Sequence, residues 1–261
     1  MFKVETLNIA SEWHEALDAA GLLDIEAVTQ RDFDWFEAPN KRRGGWSGVT
    51  RIVLNPDAPK AAHKAVFLKI QQNHFYVALN TGFRKRLTFE RENTALKALQ
   101  AFTSDIPPLL LHATWQSGKD RGAIIITEAI DDYMPLDQWL KQNSTASEPA
   151  ERLDALLEAL ANSLRHIHAN KWAHFGLFSK HVFIRKTPQA SERIKLIDFE
   201  KTRKCWSTHA CAIEDCSRFL RHTKELSRDS QLHFLKAYFQ TDTFSPQQQR
   251  LIGKMRGAPQ L

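Results

Sequence analysis

Between residues 44 and 130 the apolar positions fall in short alternating runs. GGWSGVTRIVL (44–54) is a glycine turn followed by alternation at Val49, Arg51 and Val53, which predicts a strand. AVFLKIQ (65–71) predicts a second strand, and IPPLLLHATWQ (106–116) and RGAIIITEAI (121–130) two more, with a turn at GKD between them. FDWFEAPN (33–40) reads as strand or turn, and NPDAPKAAH (55–63) as a proline-rich loop. Two helices interrupt this pattern. SEWHEALDAAGL (11–22) is amphipathic with Ser11 as expected N-cap, and LTFERENTALKALQAF (87–102) puts Leu96, Leu99 and Phe102 on one face. From Leu136 onward the helical period takes over. LDQWLKQ (136–142) is short, whereas ERLDALLEALANSLRHIHAN (151–170) carries a stripe of Leu153, Leu156, Leu157, Leu160, Leu164 and Ile167. HVFIRK and RIKLIDF predict a short β pair, and AIEDCSRFLRHTK and QLHFLKAYF further helices. Strands segregated from helices predict an α+β protein of two lobes, not a series of alternating βαβ units.

Composition narrows the class without changing that picture. Hydrophobic residues make up 43% and charged residues 25%, the ordinary balance of a water-soluble globular chain. No apolar run approaches the ~18 residues of a membrane span, and MFKVETLNIASEWHEAL lacks the apolar core of a secretory signal. Three cysteines suit a reducing compartment, so a cytoplasmic location is expected. The net charge of +6 is clustered at Lys41, Arg42 and Arg43, at Arg84, Lys85 and Arg86, and at Lys201, Arg203 and Lys204. Such clusters suit nucleotide phosphates, an anionic membrane face or nucleic acid; the alternative is a solvated surface. They lack interleaved base-stacking aromatics, so no nucleic-acid partner is expected. Cys205, His209, Cys211 and Cys216 lack the short paired spacing of a zinc site.

Four features fall in a chemically meaningful order: the glycine turn Gly44, Gly45 and Gly48; Lys69 amid Val66, Phe67, Leu68 and Ile70; Glu92 on the following helix; and HFGLFSKHVFI (174–184) with Asp198 in IKLIDFEKTR. Singly, the turn is a hairpin or a phosphate cradle, Lys69 a snorkelling or an inward cation, and Glu92 a surface charge or an ion-pair partner. Together they match what phosphoryl transfer needs, which is positioning and neutralisation of charge by donors, a cation and carboxylate-held metal.

RGGWSGV, FLK, FERE, HFGLFSKHVFI and LIDFEKTR resemble the lipopolysaccharide core kinase family (the Kdo and heptose kinases), most closely its InaA-like branch, from about Asn40 to about Leu220. The resemblance implies a bilobal protein-kinase-like fold: residues 1–39 an N-terminal extension, 40–130 a β-rich N-lobe and 131–261 a reduced helical C-lobe, with the hinge near Glu128–Pro135. It also implies ATP and Mg²⁺ as cofactors, and a lipopolysaccharide core saccharide or related anionic glycolipid as acceptor, met at the inner face of the cytoplasmic membrane. By position, Gly44, Gly45, Trp46, Ser47 and Gly48 fall on the nucleotide-covering loop, and Lys69, Glu92 and the hinge residue Glu128 complete the nucleotide site. Asp198 matches the metal-binding Asp, and Asp215 an acid that braces the catalytic loop from a helix below or, alternatively, a helix-surface charge.

The kinase pattern H-R-D-L-x-x-x-N lies over His174 to His181 without a gap. Gly176 then stands where the base Asp belongs, and His181 where the metal-binding Asn belongs. His181 becomes a candidate metal ligand or base, Lys180 a candidate for neutralising phosphate, and His174 a packing residue. Two alternatives stay open: a pseudokinase that binds nucleotide or glycolipid as a regulator or scaffold, and a small-molecule kinase of the antibiotic or choline type, which would be expected to keep the loop Asp.

Overall fold

The computed structural model describes residues 1–42, 44–77, 84–143, 150–188 and 191–261; Arg43, part of the first basic cluster and of the RGGWSGV motif, lies outside them. The chain divides into two compact units, one of residues 1–97 with 107–129, the other of residues 98–106 with 130–261.

The first unit is built on an antiparallel sheet. Its elements in chain order are β1 (Phe2–Ile9), α1 (His14–Ala19), α2 (Ile25–Gln30), β2 (Asn40–Arg42), β3 (Gly45–Val53), β4 (Ala65–Gln72), β5 (Phe75–Tyr76), β6 (Arg86–Leu87), α3 (Thr88–Gln100), β7 (Leu109–Ser117) and β8 (Asp120–Glu128). Six of the strands form one sheet in the order β1-β7-β8-β4-β3-β2. Alternation along β4 decides where Lys69 goes. Val66, Leu68 and Ile70 enter a core with Leu111, Ala113, Trp115, Ile124 and Ile126, closed by Leu17, Leu22, Ile25 and Val28. Lys69 therefore belongs to the opposite face, where α3 buries Phe89, Glu92 and Leu96 at helical spacing.

Two features differ from the sequence expectation. β1 is absent from it, because its apolar positions change parity at the bulge between Val4 and Thr6 and this edge strand is exposed along most of its length; Phe2, stacked on Trp115 at 5.3 Å, and Ile9 pack against the core. The helix expected at 11–22 begins as a 3-10 turn, Ser11–Trp13, and Ala10 holds its cap position. Ser11 is not the N-cap: its hydroxyl donates to the Glu12 carboxylate at 3.3 Å, and Gly21, at φ +66°, turns the chain past the helix end.

The second unit holds β9 (Tyr133–Pro135), α4 (Leu136–Asn143), α5 (Ala150–Ala169), β10 (Trp172–Ala173), β11 (Val182–Arg185), β12 (Ile194–Leu196), β13 (Arg203–Lys204), α6 (Thr208–His222), α7 (Arg228–Phe239) and α8 (Pro246–Ile252). The apolar stripe of α5 buries Leu156, Leu157, Leu160, Leu164 and Ile167. Serines start the later helices: Ser207 accepts from Ala210 N, Ser227 from Ser230 N, and Ser245 forms a capping box with Gln248. The expected β pair is β11 with β12, and β9 adds a third strand to it. The Asp198 turn follows β12, and the His174 loop runs between β10 and β11.

Candidate functional site

In the first unit, Lys69 Nζ lies 2.6 Å from Glu92 Oε1, with the Glu92 side chain only 2% exposed and that of Lys69 17%. A carboxylate this buried is costly without a cation, so Glu92 holds the Lys69 ammonium and α3 is tied to β4. Glu90 is employed elsewhere, accepting from Leu87 N at the start of α3 at 2.9 Å. Of the glycine-loop residues, Gly44 sits in the β2–β3 turn at φ +78° with open space around it. A Cβ on Gly45 would meet Asn73 O at 2.4 Å, and one on Gly48 the Trp35 ring at 2.6 Å. These two glycines thus have a packing reason of their own. Trp46 donates from Nε1 to Gln72 Oε1 at 3.3 Å, Ser47 lies in β3 opposite Gln71, and Glu128 ends β8, its N–H bonded to Pro108 O.

In the second unit the His174 loop is held from behind by Asp215, on α6. Asp215 is fully buried. Its Oδ2 accepts from His174 N at 2.7 Å and its Oδ1 from Phe175 N at 2.9 Å. His168, next to last in α5, donates from Nε2 to Oδ2 at 3.0 Å and accepts at Nδ1 from the Tyr238 hydroxyl at 2.7 Å. Burial alone would push the Asp215 carboxyl up; the His168 bond and charge, with the backbone N–H of His174, outweigh it and hold the carboxyl below its usual range. The bonds have conformational work to do, because Phe175 sits at φ +56°, a left-handed backbone that a phenylalanine rarely adopts. Asp215 is thus a brace and not a surface acid. His174 is a packing residue, 2% exposed, whose Nε2 donates to Ile197 O at 2.9 Å.

The front of the loop departs from the kinase pattern. Gly176 carries no side chain, and its φ lies outside the left-handed region. Its carbonyl accepts from His181 Nδ1 at 2.7 Å. That bond puts the proton on Nδ1, so the Nε2 of a neutral imidazole presents a lone pair. His181 Nε2 lies 3.2 Å from Asp198 Oδ2. Burial pushes the imidazole below its usual range, against the opposing pull of Asp198 and of the Gly176 carbonyl, so the neutral form dominates near pH 7. Two acceptors then face each other across 3.2 Å, an arrangement completed by a cation. An imidazole nitrogen plus a carboxylate oxygen suits a divalent ion that also takes phosphate and water oxygens. Asp198 itself is at φ +68°, a conformation that Asp tolerates better than most residues. Lys180 is exposed on the 3-10 turn Ser179–His181.

The structure brings His181 and Asp198 together, and Lys69 and Glu92. Sequence reasoning missed His168 and Tyr238, which stand 47 and 70 positions from their partners in the brace; no local pattern links residues so far apart.

The profile of the lipopolysaccharide kinase (Kdo/WaaP) family matches residues 26–238. The chain belongs to that family. Within it, the chain is 23% identical over 171 residues to Protein InaA of Escherichia coli (strain K12), covering 66% of this chain and 74% of InaA. A solved structure of WaaP in complex with acyl carrier protein superposes with a TM-score of 0.64 at 16% identity, covering 90% of this chain and 89% of the other. At that identity the likeness establishes the protein-kinase-like fold of this lipopolysaccharide kinase family member. No helix among the described residues is long and apolar enough to cross a membrane.

Proposed function

We propose that this family member transfers a phosphoryl group from ATP to a hydroxyl of a lipopolysaccharide core saccharide or a related glycolipid, at the inner face of the cytoplasmic membrane. The observation that carries the reading is the His181–Asp198 pair, two acceptors facing each other at 3.2 Å. These residues would hold Mg²⁺, which when bound neutralises charge on the nucleotide phosphates. Lys69, oriented by Glu92, contacts the phosphates from the sheet; Gly44 to Gly48 cover them; Glu128 borders the nucleotide at the hinge; Lys180 adds positive charge at the loop.

His181 has one lone pair to give, because Nδ1 is committed to Gly176 O. It holds a cation or accepts a proton, not both, and the facing carboxylate favours the cation. No carboxylate side chain stands at position 176. The acceptor hydroxyl therefore keeps its proton until late in transfer, which a loose phosphoryl transition state permits at a cost toward the lower end of the ~10²–10⁴-fold worth of a general base.

A second reading has a specific observation behind it. Gly176 also suits a pseudokinase that binds nucleotide or glycolipid and serves as a regulator or scaffold. Two measurements separate the readings. ATP with Mg²⁺ is expected to raise the melting temperature of the wild type but not of Asp198→Ala; no shift in either protein sinks both nucleotide readings. Transfer of labelled phosphate to purified core oligosaccharide by the wild type and not by Lys69→Ala supports the kinase, and equal inactivity of the two supports the scaffold.

A further inference from the structure

Arg203, Lys204 and Cys205, shortly after the Asp198 turn, run alongside the residues that lead into the His174 loop. β13 pairs antiparallel with β10, Lys204 opposite Trp172 and Arg203 opposite Ala173, and Cys205 N donates to Lys171 O at 2.8 Å. Three cations lie along this segment, Arg203 and Lys204 on β13 and Lys201 just before it. Lys204 Nζ lies 5.8 Å from the centroid of the Trp172 ring, and Arg203 Cζ lies 3.6 Å from that of Phe175. Lys201 Cδ lies 3.8 Å from the point a Cβ on Gly176 would occupy. All three are exposed, and among the described residues none makes an ion pair with a carboxylate within 4.0 Å. Trp206 follows directly and is 85% exposed, so its indole adds almost nothing to the core.

We propose that Lys201, Arg203, Lys204 and Trp206 form the acceptor subsite and select a saccharide that carries acidic groups. This rests on the kinase reading above. Ammonium and guanidinium groups bind carboxylate or phosphate by charge-assisted hydrogen bonds, and an exposed indole offers a flat apolar face to the C–H side of a sugar ring. Gly176 has a part in this arrangement. The position has no side chain, and the stem of Lys201 lies close to the point where a Cβ there would stand. The cations are held by strand pairing and by aromatic rings, so little ordering is needed when the acceptor arrives.

The experiment measures binding of a deacylated, anionic core oligosaccharide by calorimetry. Neutral maltopentaose and phosphatidylglycerol vesicles are the comparison ligands. The expected result is saturable binding of the anionic glycan, weakened about tenfold by Trp206→Ala and at least about thirtyfold by the combined Lys201→Gln, Arg203→Gln and Lys204→Gln variant. Binding of maltopentaose should be weak. Combined Lys224→Gln and Lys254→Gln, which removes exposed lysines elsewhere on the surface, should bind the glycan as the wild type does. Absent glycan binding, equal binding of maltopentaose, or unchanged binding by the subsite variants would overturn the assignment. Substitutions that weaken only vesicle binding would overturn it in favour of a lipid-surface contact. Thermal stabilisation by ATP with Mg²⁺ is followed in the same proteins. If it persists while the glycan results fail, the subsite is wrong and the kinase reading stands; if it is absent in the wild type, the kinase reading fails whatever the glycan does.

Discussion

The back and the front of one loop follow different rules in this protein. Behind residues 174 and 175, Asp215, His168 and Tyr238 form a buried network in which the carboxylate takes two backbone N–H groups and an imidazole. In front, the base position is a glycine and a histidine replaces the metal-binding asparagine of the kinase pattern. A fold kept only for stability has no use for a phenylalanine at φ +56°, and a buried carboxylate is a costly way to hold one. The combination indicates that the shape of the loop is itself under demand, whatever the front of the loop now does with it.

Restoring the acid tests the front of the loop most severely. A Cβ on Gly176 would have His174 Nδ1 at 3.4 Å and Lys201 Cδ at 3.8 Å as neighbours, ordinary contacts, so Gly176→Asp meets no clash at its first side-chain atom. If the braced loop still presents an acceptor hydroxyl, phosphate transfer to core oligosaccharide should rise toward the lower end of ~10²–10⁴-fold. A variant that folds with wild-type stability and shows no gain would mean that the front of the loop cannot use a base. The largest effect on the back of the loop should come from Asp215→Ala. That change leaves the N–H groups of His174 and Phe175 and the Nε2–H of His168 without their acceptor, and should cost about 3–5 kcal/mol in denaturant unfolding. A loss below about 1 kcal/mol would mean that Phe175 holds its backbone without the brace.

The two sides of the loop also differ in how far they could be read in advance. The front is a local pattern: His174 to His181 aligns with the kinase loop without a gap, and Asp198 follows an apolar strand, so Gly176 and His181 are legible at once. The same holds for Lys69 and Glu92, because strand alternation and helical spacing turn both side chains toward one layer. The back was legible only at Asp215, which the resemblance offered as a brace; His168 and Tyr238 were not, since α5, α6 and α7 meet only through tertiary packing. β1 was hidden for another reason: its apolar positions, Phe2 and Val4 and then Leu7 and Ile9, change parity at the bulge between Val4 and Thr6. The cationic segment along residues 172–176 was half visible. Lys201, Arg203 and Lys204 stand out as a charge cluster, but only the pairing of β13 with β10 brings Arg203 and Lys204 beside the start of the His174 loop.

The His181–Asp198 pair separates the two sides of the loop by a smaller effect. Replacing His181 with Ala removes one of the two facing acceptors and should abolish the added melting-temperature shift that Mg²⁺ gives over ATP alone. His181→Asn restores the kinase-type ligand and should keep most of it. A saturating ligand at 100 times its Kd stabilises by about 2.7 kcal/mol, which is the scale of the loss expected. Equal behaviour of the Ala and Asn variants would remove His181 from the metal site and leave Asp198 alone there.

The smallest effect is a pH dependence that belongs to the back of the loop. The folded protein holds the Asp215 carboxyl below its usual value near 3.8. As pH falls through that usual value, the unfolded chain takes up the proton first, so this group's contribution to stability is fully present above about pH 4 and is lost as pH falls through the folded pKa. The slope is at most about 1.4 kcal/mol per pH unit. Other carboxylates titrate in the same range, so the informative quantity is the difference in unfolding free energy between the wild type and Asp215→Asn. That difference should be constant from pH 8 to about pH 5 and narrow only below about pH 4. Narrowing that begins well above pH 5 would assign the linkage to a group other than the Asp215 carboxyl.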